Sequence, residues 1–154
     1  MYTEEDITPE KQIQWYNRIK ADNTKIYWII RFKGEYIGVI NLYDINQIHK
    51  RCYWGFYIGD DNLRGKGLGL IIECNLYDYV FNQLKLNKLC CEVFKFNEEV
   101  IKLHERCGSK IEGIFVEHIY KNNKFYDIVS MAILKNEWEN KKKTMRYPKI
   151  SIEY

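Results

Sequence analysis

A change in the spacing of apolar residues near residue 60 constrains this fold more than any other feature. Before it, three runs rich in β-branched and aromatic residues predict strands over Lys25–Phe32, Tyr36–Tyr43 and Arg51–Ile58. The stretch 59–69 is polar and rich in turn residues. Over Leu68–Leu84 apolar residues then recur at intervals of three and four, which predicts a long amphipathic helix. A meander of strands therefore precedes a helix that begins at a glycine-rich turn.

The rest of the chain supplies further helices and strands. Thr8 and Pro9 are typical of a helix start and predict a helix as far as Lys20. The later predicted elements are a strand, a helix that ends at a glycine, and two strands: Leu89–Phe94, Glu98–Cys107 with Gly108, Ile111–Tyr120 and Phe125–Leu134. This order predicts an α/β (α+β) fold, with helices flanking a mixed, mostly antiparallel sheet.

Length and composition allow one domain. The chain has 154 residues, of which 46% are hydrophobic and 29% charged, the mixture of a soluble globular protein. We expect the domain to span residues 1–134 and residues 135–154 to form a C-terminal tail in which the Lys141–Lys143 run is solvated. A net charge of +3 is too small to indicate a nucleic-acid partner. Because the sequence has neither signal-peptide features nor an apolar stretch near the ~20 residues of a membrane span, we expect a cytoplasmic protein without a membrane partner.

The five cysteines predict free thiols of a reducing compartment. Their number is odd and none forms a Cys-x-x-Cys pair. No local signature marks one of them as a reactive nucleophile, although that alternative is open. The three histidines lie at no ligand-like spacing with the cysteines, so we expect no metal site.

The segment Leu63–Leu70 predicts an anion site. It reads Leu-Arg-Gly-Lys-Gly-Leu-Gly-Leu between a predicted strand and a predicted helix. Glycines allow a tight turn that directs backbone N–H groups inward, and the helix N-terminus, Arg64 and Lys66 add positive charge. A pyrophosphate suits such a site. The segment differs from the nucleotide P-loop and from the dinucleotide fingerprint, and the alternative is an ordinary glycine-rich loop.

Two segments together resemble the GCN5-related N-acetyltransferases (GNAT). The loop Arg64–Gly69 is similar to their Arg/Gln-x-x-Gly-x-Gly/Ala loop, which cradles the pyrophosphate of coenzyme A. The segment Asn97–Ser109 is similar to an Asn followed by small or apolar residues and Leu-Tyr-x-Lys/Arg-x-Gly-Phe. The resemblance covers roughly Tyr2–Leu134. It implies a GNAT-like fold and an enzyme that transfers acetyl from acetyl-CoA to a primary amine, without a metal.

The resemblance also implies a set of cofactor-binding residues. Backbone groups of one strand would pair with the pantetheine arm, loop amides would hold the pyrophosphate, and an Asn would bond the pantetheine region. These residues are Phe56, Tyr57, Ile58, Arg64, Gly65, Lys66, Gly67, Leu68, Gly69 and Asn97, with His104 beside them.

Three residues are the catalytic candidates. His104 stands where the family has a Tyr acid, and a His can protonate a leaving thiolate; the alternative is that it only contacts the cofactor or packs on the helix. Glu92 is the candidate general base, unless it is a strand carboxylate paired with a Lys. Asn41 cannot be a base but can hold a water that is one. Ser109 replaces the usual Phe, and we expect it to weaken packing without touching the chemistry.

The resemblance implies a small-molecule amine acceptor. The chain looks closest to two branches of the family. One acetylates the 4-amino group of a UDP-linked 4-amino-4,6-dideoxy sugar on the pseudaminic acid pathway, and the other acetylates protein N-termini, as in ribosomal-protein alanine acetyltransferases. We favour the UDP-amino sugar; a protein N-terminus, another small amine, and a catalytically inactive acyl-CoA-binding module are the alternatives.

Aromatic and basic residues are candidates to hold that acceptor. Aromatic planes suit a uracil or sugar, and the candidates are Tyr2, Trp15, Tyr43 and Trp54, with core packing the alternative, above all for Trp15. Lys50 and Arg51 are candidates to meet a diphosphate, unless they are solvated loop charges.

Family members usually have a strand and a helix before the segment that matches Thr8–Lys20. We therefore expect the N-terminal strand and helix to be missing and one edge of the sheet to be incomplete. Such an edge is a pairing liability, so we expect the tail or a partner subunit in a homodimer to cover it.

Overall fold

Strands and helices follow one another in the predicted order. The computed structural model describes residues 8–63 and 65–153, and in these it contains six strands and four α-helices. They are α1 (Pro9–Lys20), β1 (Ile26–Phe32), β2 (Glu35–Asn46), β3 (Arg51–Ile58), α2 (Leu68–Asp78), β4 (Lys88–Phe94), α3 (Glu98–Cys107), β5 (Lys110–Lys121), β6 (Lys124–Leu134) and α4 (Lys135–Lys141). The predicted fold class is confirmed.

The strands form one sheet in the order β1-β2-β3-β4-β6-β5. Every neighbouring pair is antiparallel except β3 and β4, which run parallel. That parallel pairing covers only three residues of each strand and ends at the pair Tyr53 and Cys90. The two halves of the sheet are therefore joined by one short parallel pairing, between β3 and β4.

Side chains alternate between the two faces of this sheet. The core face carries residues such as Leu42, Trp54 and Cys91, which are buried with side chains of α2 and α3. The opposite face carries their strand neighbours, including Asn41, Tyr53 and Glu92. Helix α1 has no buried residue and contacts that face through Trp15, whose ring lies 5.0 Å from that of Tyr27.

Local signals explain why several boundaries agree with the prediction. The Thr8 hydroxyl caps α1 by accepting a hydrogen bond from the Lys11 amide at 3.3 Å. Helix α3 ends where Gly108 adopts the left-handed φ of 105°.

The predicted helix over Leu68–Leu84 is confirmed nearly to its end, but its last third is not α-helical. Helix α2 ends at Asp78, and Tyr79–Gln83 forms a π-helical turn in which the Leu84 amide donates to the Tyr79 carbonyl. The predicted loop over residues 44–50 is also shorter, because β2 continues to Asn46.

The C-terminal segment packs on α2, so the expectation of a solvated Lys141–Lys143 run is wrong for Lys142. Trp138 is 1% exposed. The Asp78 carboxylate accepts hydrogen bonds from Trp138 Nε1 at 3.0 Å, Lys142 Nζ at 2.9 Å, the Tyr147 hydroxyl at 2.6 Å and Lys149 Nζ. This carboxylate therefore fastens the segment to the helix.

Asn75 fastens the same segment one turn earlier. Its side-chain amide donates to the Pro148 carbonyl at 2.9 Å and accepts from the Ile150 amide at 3.2 Å. These bonds run to α2, whereas β1 and β5 are the edge strands. The tail thus does not pair with a sheet edge through them, contrary to one half of the expectation.

All five cysteines are buried and free, as predicted. Burial raises the pKa of the Cys52 thiol to about 12 and raises that of Cys91 well above its usual value. These thiols stay protonated, which argues against a nucleophile. Among residues 8–63 and 65–153, no helix has the length and apolarity to cross a bilayer. The same residues contain no group of three or more His, Cys, Asp or Glu that could hold a metal.

Candidate active site

A cleft of about 700 Å³ opens where β3 and β4 separate beyond their three paired residues. Its walls come from β3, the glycine loop, the start of α2, β4 and α3. Ten of the predicted site residues line it: Phe56, Tyr57, Ile58, Gly65, Gly67, Leu68, Gly69, Glu92, Asn97 and His104. The structure thus brings together residues that are up to 48 positions apart, Phe56 and His104.

One wall of the cleft is an unpaired strand edge. Phe56, Tyr57 and Ile58 pair with β2 on one side, and on the other side β4 has already separated. The backbone groups on that second side face the cleft. Such an edge can hydrogen-bond an extended amide-containing ligand as an added strand would.

The glycine loop forms the second wall. Gly65 and Gly67 have φ values of 74° and 78°, the left-handed region that favours glycine. Because Gly67 is the N-cap of α2 and has no side chain, no side-chain oxygen occupies the first amides of the helix. A Cβ on Gly69 would lie 2.8 Å from Leu103 Cδ2, so glycine also permits the close approach of α2 to α3. The arrangement suits a pyrophosphate.

One predicted loop residue that the structure describes, Lys66, does not line the cleft. Lys66 is exposed between Gly65 and Gly67. Arg64 lies outside the described residues.

His104 belongs to a buried polar network. The residue is 3% exposed, and its Nδ1 lies 3.0 Å from both carboxylate oxygens of Glu73 on α2. The Tyr77 hydroxyl also donates to Glu73, and it lies 2.7 Å from the Ser109 hydroxyl. The Trp54 ring packs 5.1 Å from the imidazole. Since His104 also lines the cleft, Nε2 is the ring nitrogen left for a group bound there.

The direction of these hydrogen bonds follows from the pKa of Tyr77. Burial, and then the neighbouring Glu73 charge, raise the pKa of the Tyr77 phenol well above its usual value. The phenol therefore keeps its proton and donates it to Glu73. The Ser109 hydroxyl in turn donates to the Tyr77 oxygen.

Ser109 corrects one expectation. We expected it only to weaken packing, yet it is 4% exposed and hydrogen-bonded to Tyr77. A Phe would have no polar atom to offer there.

Sequence reasoning missed Glu73 and Tyr77. A signal was present, because Glu73 interrupts an apolar run, Leu70-Ile71-Ile72-Glu73-Cys74, and lies four residues before Tyr77 on one helix face. A carboxylate at a core position of an amphipathic helix is rare unless it is paired.

The two other catalytic candidates lie on the opposite face. Glu92 follows Cys91 on β4, points away from the core and lines the cleft. Asn41 is not a lining residue. It lies behind Gly55, where its Oδ1 would be 3.5 Å from an added Cβ. The cleft thus has His104 on the core side and Glu92 on the opposite side.

The aromatic residues predicted to hold the acceptor lie in different parts of the molecule. Trp54 lines the cleft, but its ring is 2% exposed and stacks on Phe56 at 5.7 Å, which agrees with the core-packing alternative. Tyr43 is half-buried on the opposite face and stacks on Tyr53 at 5.5 Å. Trp15 is half-buried on α1, outside the core cluster. Tyr2 lies outside the described residues.

The two basic residues predicted to bind a diphosphate make contacts outside the cleft. Arg51 forms an ion pair with Asp44 at 2.9 Å and lies over the Tyr53 ring. Lys50 donates to the Gln47 side chain at 3.2 Å. Neither residue lines the cleft.

Comparison with known proteins agrees with this geometry. The family described as Acetyltransferase (GNAT) domain matches residues 1–110. The chain belongs to the GNAT acetyltransferases. It is 29% identical over 127 residues to the spermidine N(1)-acetyltransferase of Vibrio cholerae, covering 82% of this chain and 73% of that protein. It is 32% identical over 97 residues to acetyltransferase PseH of Campylobacter jejuni, covering 63% of this chain and 59% of that protein.

A solved GNAT structure shares the fold. The crystal structure of spermidine N-acetyltransferase from Vibrio cholerae in complex with CoA and spermine superposes with a TM-score of 0.83. The sequences are 27% identical, and the match covers 90% of this chain and 82% of that one. This GNAT chain is therefore an N-acetyltransferase that uses acetyl-CoA and acts on an amine.

Proposed function

We propose that acetyl-CoA binds in the cleft between β3 and β4. The exposed edge of Phe56–Ile58 offers backbone groups to the amides of a pantetheine arm, and the amides of Gly65–Gly69 offer donors to a pyrophosphate. Asn97, which lines the cleft at the start of α3, would bond the pantetheine region. The observation that carries this proposal is the separation of β3 from β4 directly beside the glycine loop.

We further propose that two residues handle the protons. Glu92 would accept a proton from the ammonium group of the acceptor, either directly or through a water; Asn41, behind Gly55, is not placed to hold that water in the cleft. As the new N–C bond forms and the thioester C–S bond breaks, His104 would give a proton to the leaving sulfur. The net change is the release of one proton, N-acetylated product and coenzyme A.

For the acceptor, we infer that a small, flexible cationic amine of the polyamine class fits the cleft best. Its lining residues include two glutamates, Glu92 and Glu99, and one arginine, Arg106. The expected diphosphate partner Arg51 is held by Asp44. The similarity to spermidine N(1)-acetyltransferase, over 82% of this chain, supports the same acceptor.

A UDP-linked 4-amino-4,6-dideoxy sugar of the pseudaminic acid pathway is the second candidate. The half-buried Tyr43 and Tyr53 pair on the opposite face supports it, since aromatic planes suit sugars and uracil. The 32% identity to acetyltransferase PseH is in keeping with it.

A panel that measures free coenzyme A release tests both candidates. Acetyl-CoA is offered with spermidine, a UDP-4-amino sugar and an alanine-initiated peptide, and the acetylated product is identified by mass spectrometry. We expect kcat/KM to be highest for spermidine. Turnover of the UDP-amino sugar or the peptide alone would replace the acceptor assignment. Binding of acetyl-CoA without turnover of any amine would favour the inactive module.

The predicted homodimer also stays a proposal. Edge strand β5 exposes several apolar side chains, namely Ile111, Ile114, Phe115 and Val116, and such an edge favours pairing. Sedimentation of the full chain at micromolar concentration tests it, and a monomer would contradict it.

A further inference from the structure

Glu73 is a carboxylate in the middle of the core. It is 0% exposed, on the face of α2 that packs toward α3, and its neighbours Ile72 and Cys74 are buried as well. A buried carboxylate is costly unless charge and hydrogen bonds compensate it. The residues that compensate Glu73 are therefore informative.

The partners of Glu73 form a short relay toward the cleft. Ser109 donates to Tyr77, Tyr77 donates to Glu73, and both oxygens of Glu73 lie 3.0 Å from His104 Nδ1. Within residues 8–63 and 65–153, the oxygens hydrogen-bonded to the His104 ring lie on its Nδ1 side. An ionised Glu73 carboxylate only accepts hydrogen bonds, and in that state the proton shared with the ring lies on Nδ1.

We propose that Glu73 is a positioning residue that fixes the proton on His104 Nδ1 and so makes the doubly protonated imidazole available as the acid of acetyl transfer. Tyr77 and Ser109 hold Glu73 in place. The inference rests on the proposed role of His104 in transfer.

The proton balance of the step is simple. When the C–S bond breaks, the Nε2 proton moves to the sulfur and yields the thiol of coenzyme A. The Nδ1 proton stays between the imidazole and Glu73, so the ring becomes neutral. The acceptor nitrogen loses two protons as its ammonium becomes an amide. One of them, passed through Glu92 and solvent, restores the Nε2 proton, and the other is released to solvent.

The other titratable groups that face Glu73 and His104 stay protonated and uncharged. Burial raises the pKa of the Cys91 thiol on β4, and a hydrogen bond with Cys74 and then burial raise that of Cys107 on α3. The Tyr77 pKa is raised as well. Among these groups only Glu73 provides a negative charge to the imidazole.

The substitution Glu73→Gln tests the proposal with little change of shape. Since the Tyr77 hydroxyl requires an acceptor, the Gln carbonyl turns toward Tyr77 and its NH₂ group toward Nδ1. An N–H donor at that position excludes a proton on Nδ1 and with it the doubly protonated ring. The equivalent amide substitution in the His–carboxylate pair of serine proteases costs ~10⁴ in turnover. We expect kcat to fall by roughly 100-fold or more while the Kd for coenzyme A changes less than about twofold.

A ¹⁵N NMR spectrum of the His104 ring gives a readout that does not depend on activity. In the wild-type chain we expect a protonated Nδ1, and in Glu73→Gln an unprotonated Nδ1. A wild-type spectrum with a bare Nδ1 would overturn the proposal, even if the variant failed to fold. An unchanged kcat in a folded Glu73→Gln variant would overturn it equally.

Asp78→Asn is the matched control, because Asp78 is a poorly exposed carboxylate on the same helix that contacts the C-terminal segment instead of His104. We expect it to keep both the turnover and the His104 spectrum. If the wild-type chain turned over no amine at all, the proposed function would fail, while the ring spectrum would still decide the role of Glu73.

Discussion

Helix α2 carries two carboxylates, five residues apart, that serve different regions of the molecule. Glu73 faces α3 and the cleft, where its partners are a tyrosine and a histidine. Asp78 faces the C-terminal segment, where it accepts hydrogen bonds from two lysines, a tyrosine and a tryptophan. Both carboxylates are largely inaccessible to solvent, with side-chain exposures of 0% and 14%.

The two carboxylates differ in the residues that compensate their burial. Burial on its own would raise the pKa of Asp78, but the donors Lys149, Tyr147, Lys142 and Trp138 outweigh it and hold the pKa well below the usual range. Asp78 is thus ionised at neutral pH. Glu73 instead contacts the imidazole of His104, a residue that lines the cleft. We infer that the first carboxylate stabilises the fold and the second serves the reaction.

The largest expected effect is a loss of turnover when His104 is replaced. His104→Gln keeps an amide N–H that can donate to Glu73 but removes proton transfer at Nε2. We expect turnover to fall by roughly 100-fold or more, with coenzyme A affinity nearly unchanged. Steady-state thiol release and isothermal titration with coenzyme A measure the two quantities. Full turnover in this variant would end the assignment of His104 as the acid.

The next effect is a loss of stability when Asp78 is replaced. Asp78→Asn removes the charge that holds Lys142 and Lys149, and we expect the free energy of unfolding to fall by about 2–3 kcal/mol. That corresponds to a melting temperature lower by about 5–10 °C for a domain of this size. Urea titration and thermal unfolding measure it, and kcat at 25 °C should stay within about twofold. A loss of kcat in the folded variant would mean that the two regions are not separate.

The pH dependence of that stability difference sharpens the comparison. Because the folded-state pKa of Asp78 is depressed, its contribution is complete above the unfolded value of ~3.9 and is lost as the pH falls toward the folded value. The stability gap between the wild-type chain and Asp78→Asn should therefore be constant from about pH 5 to 7 and shrink below about pH 4. Unfolding curves between pH 3 and 7 test this. A constant gap down to pH 3 would show that the charge of Asp78 contributes nothing.

A smaller effect is expected in the glycine loop. Gly67→Ala places a Cβ on a residue with a φ of 78°, which costs about 1 kcal/mol if the loop keeps its form. We expect about fivefold weaker binding of coenzyme A, measured by calorimetry. Gly34→Ala is the control, since Gly34 has a φ of 90° in the β1–β2 turn, far along the chain from the cleft residues, with no atom within 4 Å of the added Cβ. Equal loss of affinity in both variants would contradict a specific role of the loop.

Much of the fold could be predicted because its signals are local. The ranges Arg51–Ile58 and Glu98–Cys107 agree between prediction and structure, since each combines an apolar period with a clear end, such as Gly108. The glycine loop could be predicted for the same reason. Its position between a strand and a helix is visible in the sequence itself.

The remaining features depend on contacts between distant segments. Glu73 and His104 are 31 residues apart and meet only because α2 and α3 pack together on the core face. Arg51 was expected to meet a diphosphate, and its pairing with Asp44 depends on the register of β2 against β3. The partnership of Asp78 with Lys149 spans 71 residues, so the composition of the basic tail could not indicate it.

The most direct test compares the two α2 carboxylates in one assay. Coenzyme A release from acetyl-CoA and a saturating amine acceptor is measured at 25 °C for the wild-type chain, Glu73→Gln and Asp78→Asn, each confirmed to be folded. We predict a loss of roughly 100-fold or more for Glu73→Gln and a change of less than about twofold for Asp78→Asn. Equal rates in all three proteins, or equal losses in both variants, would contradict it.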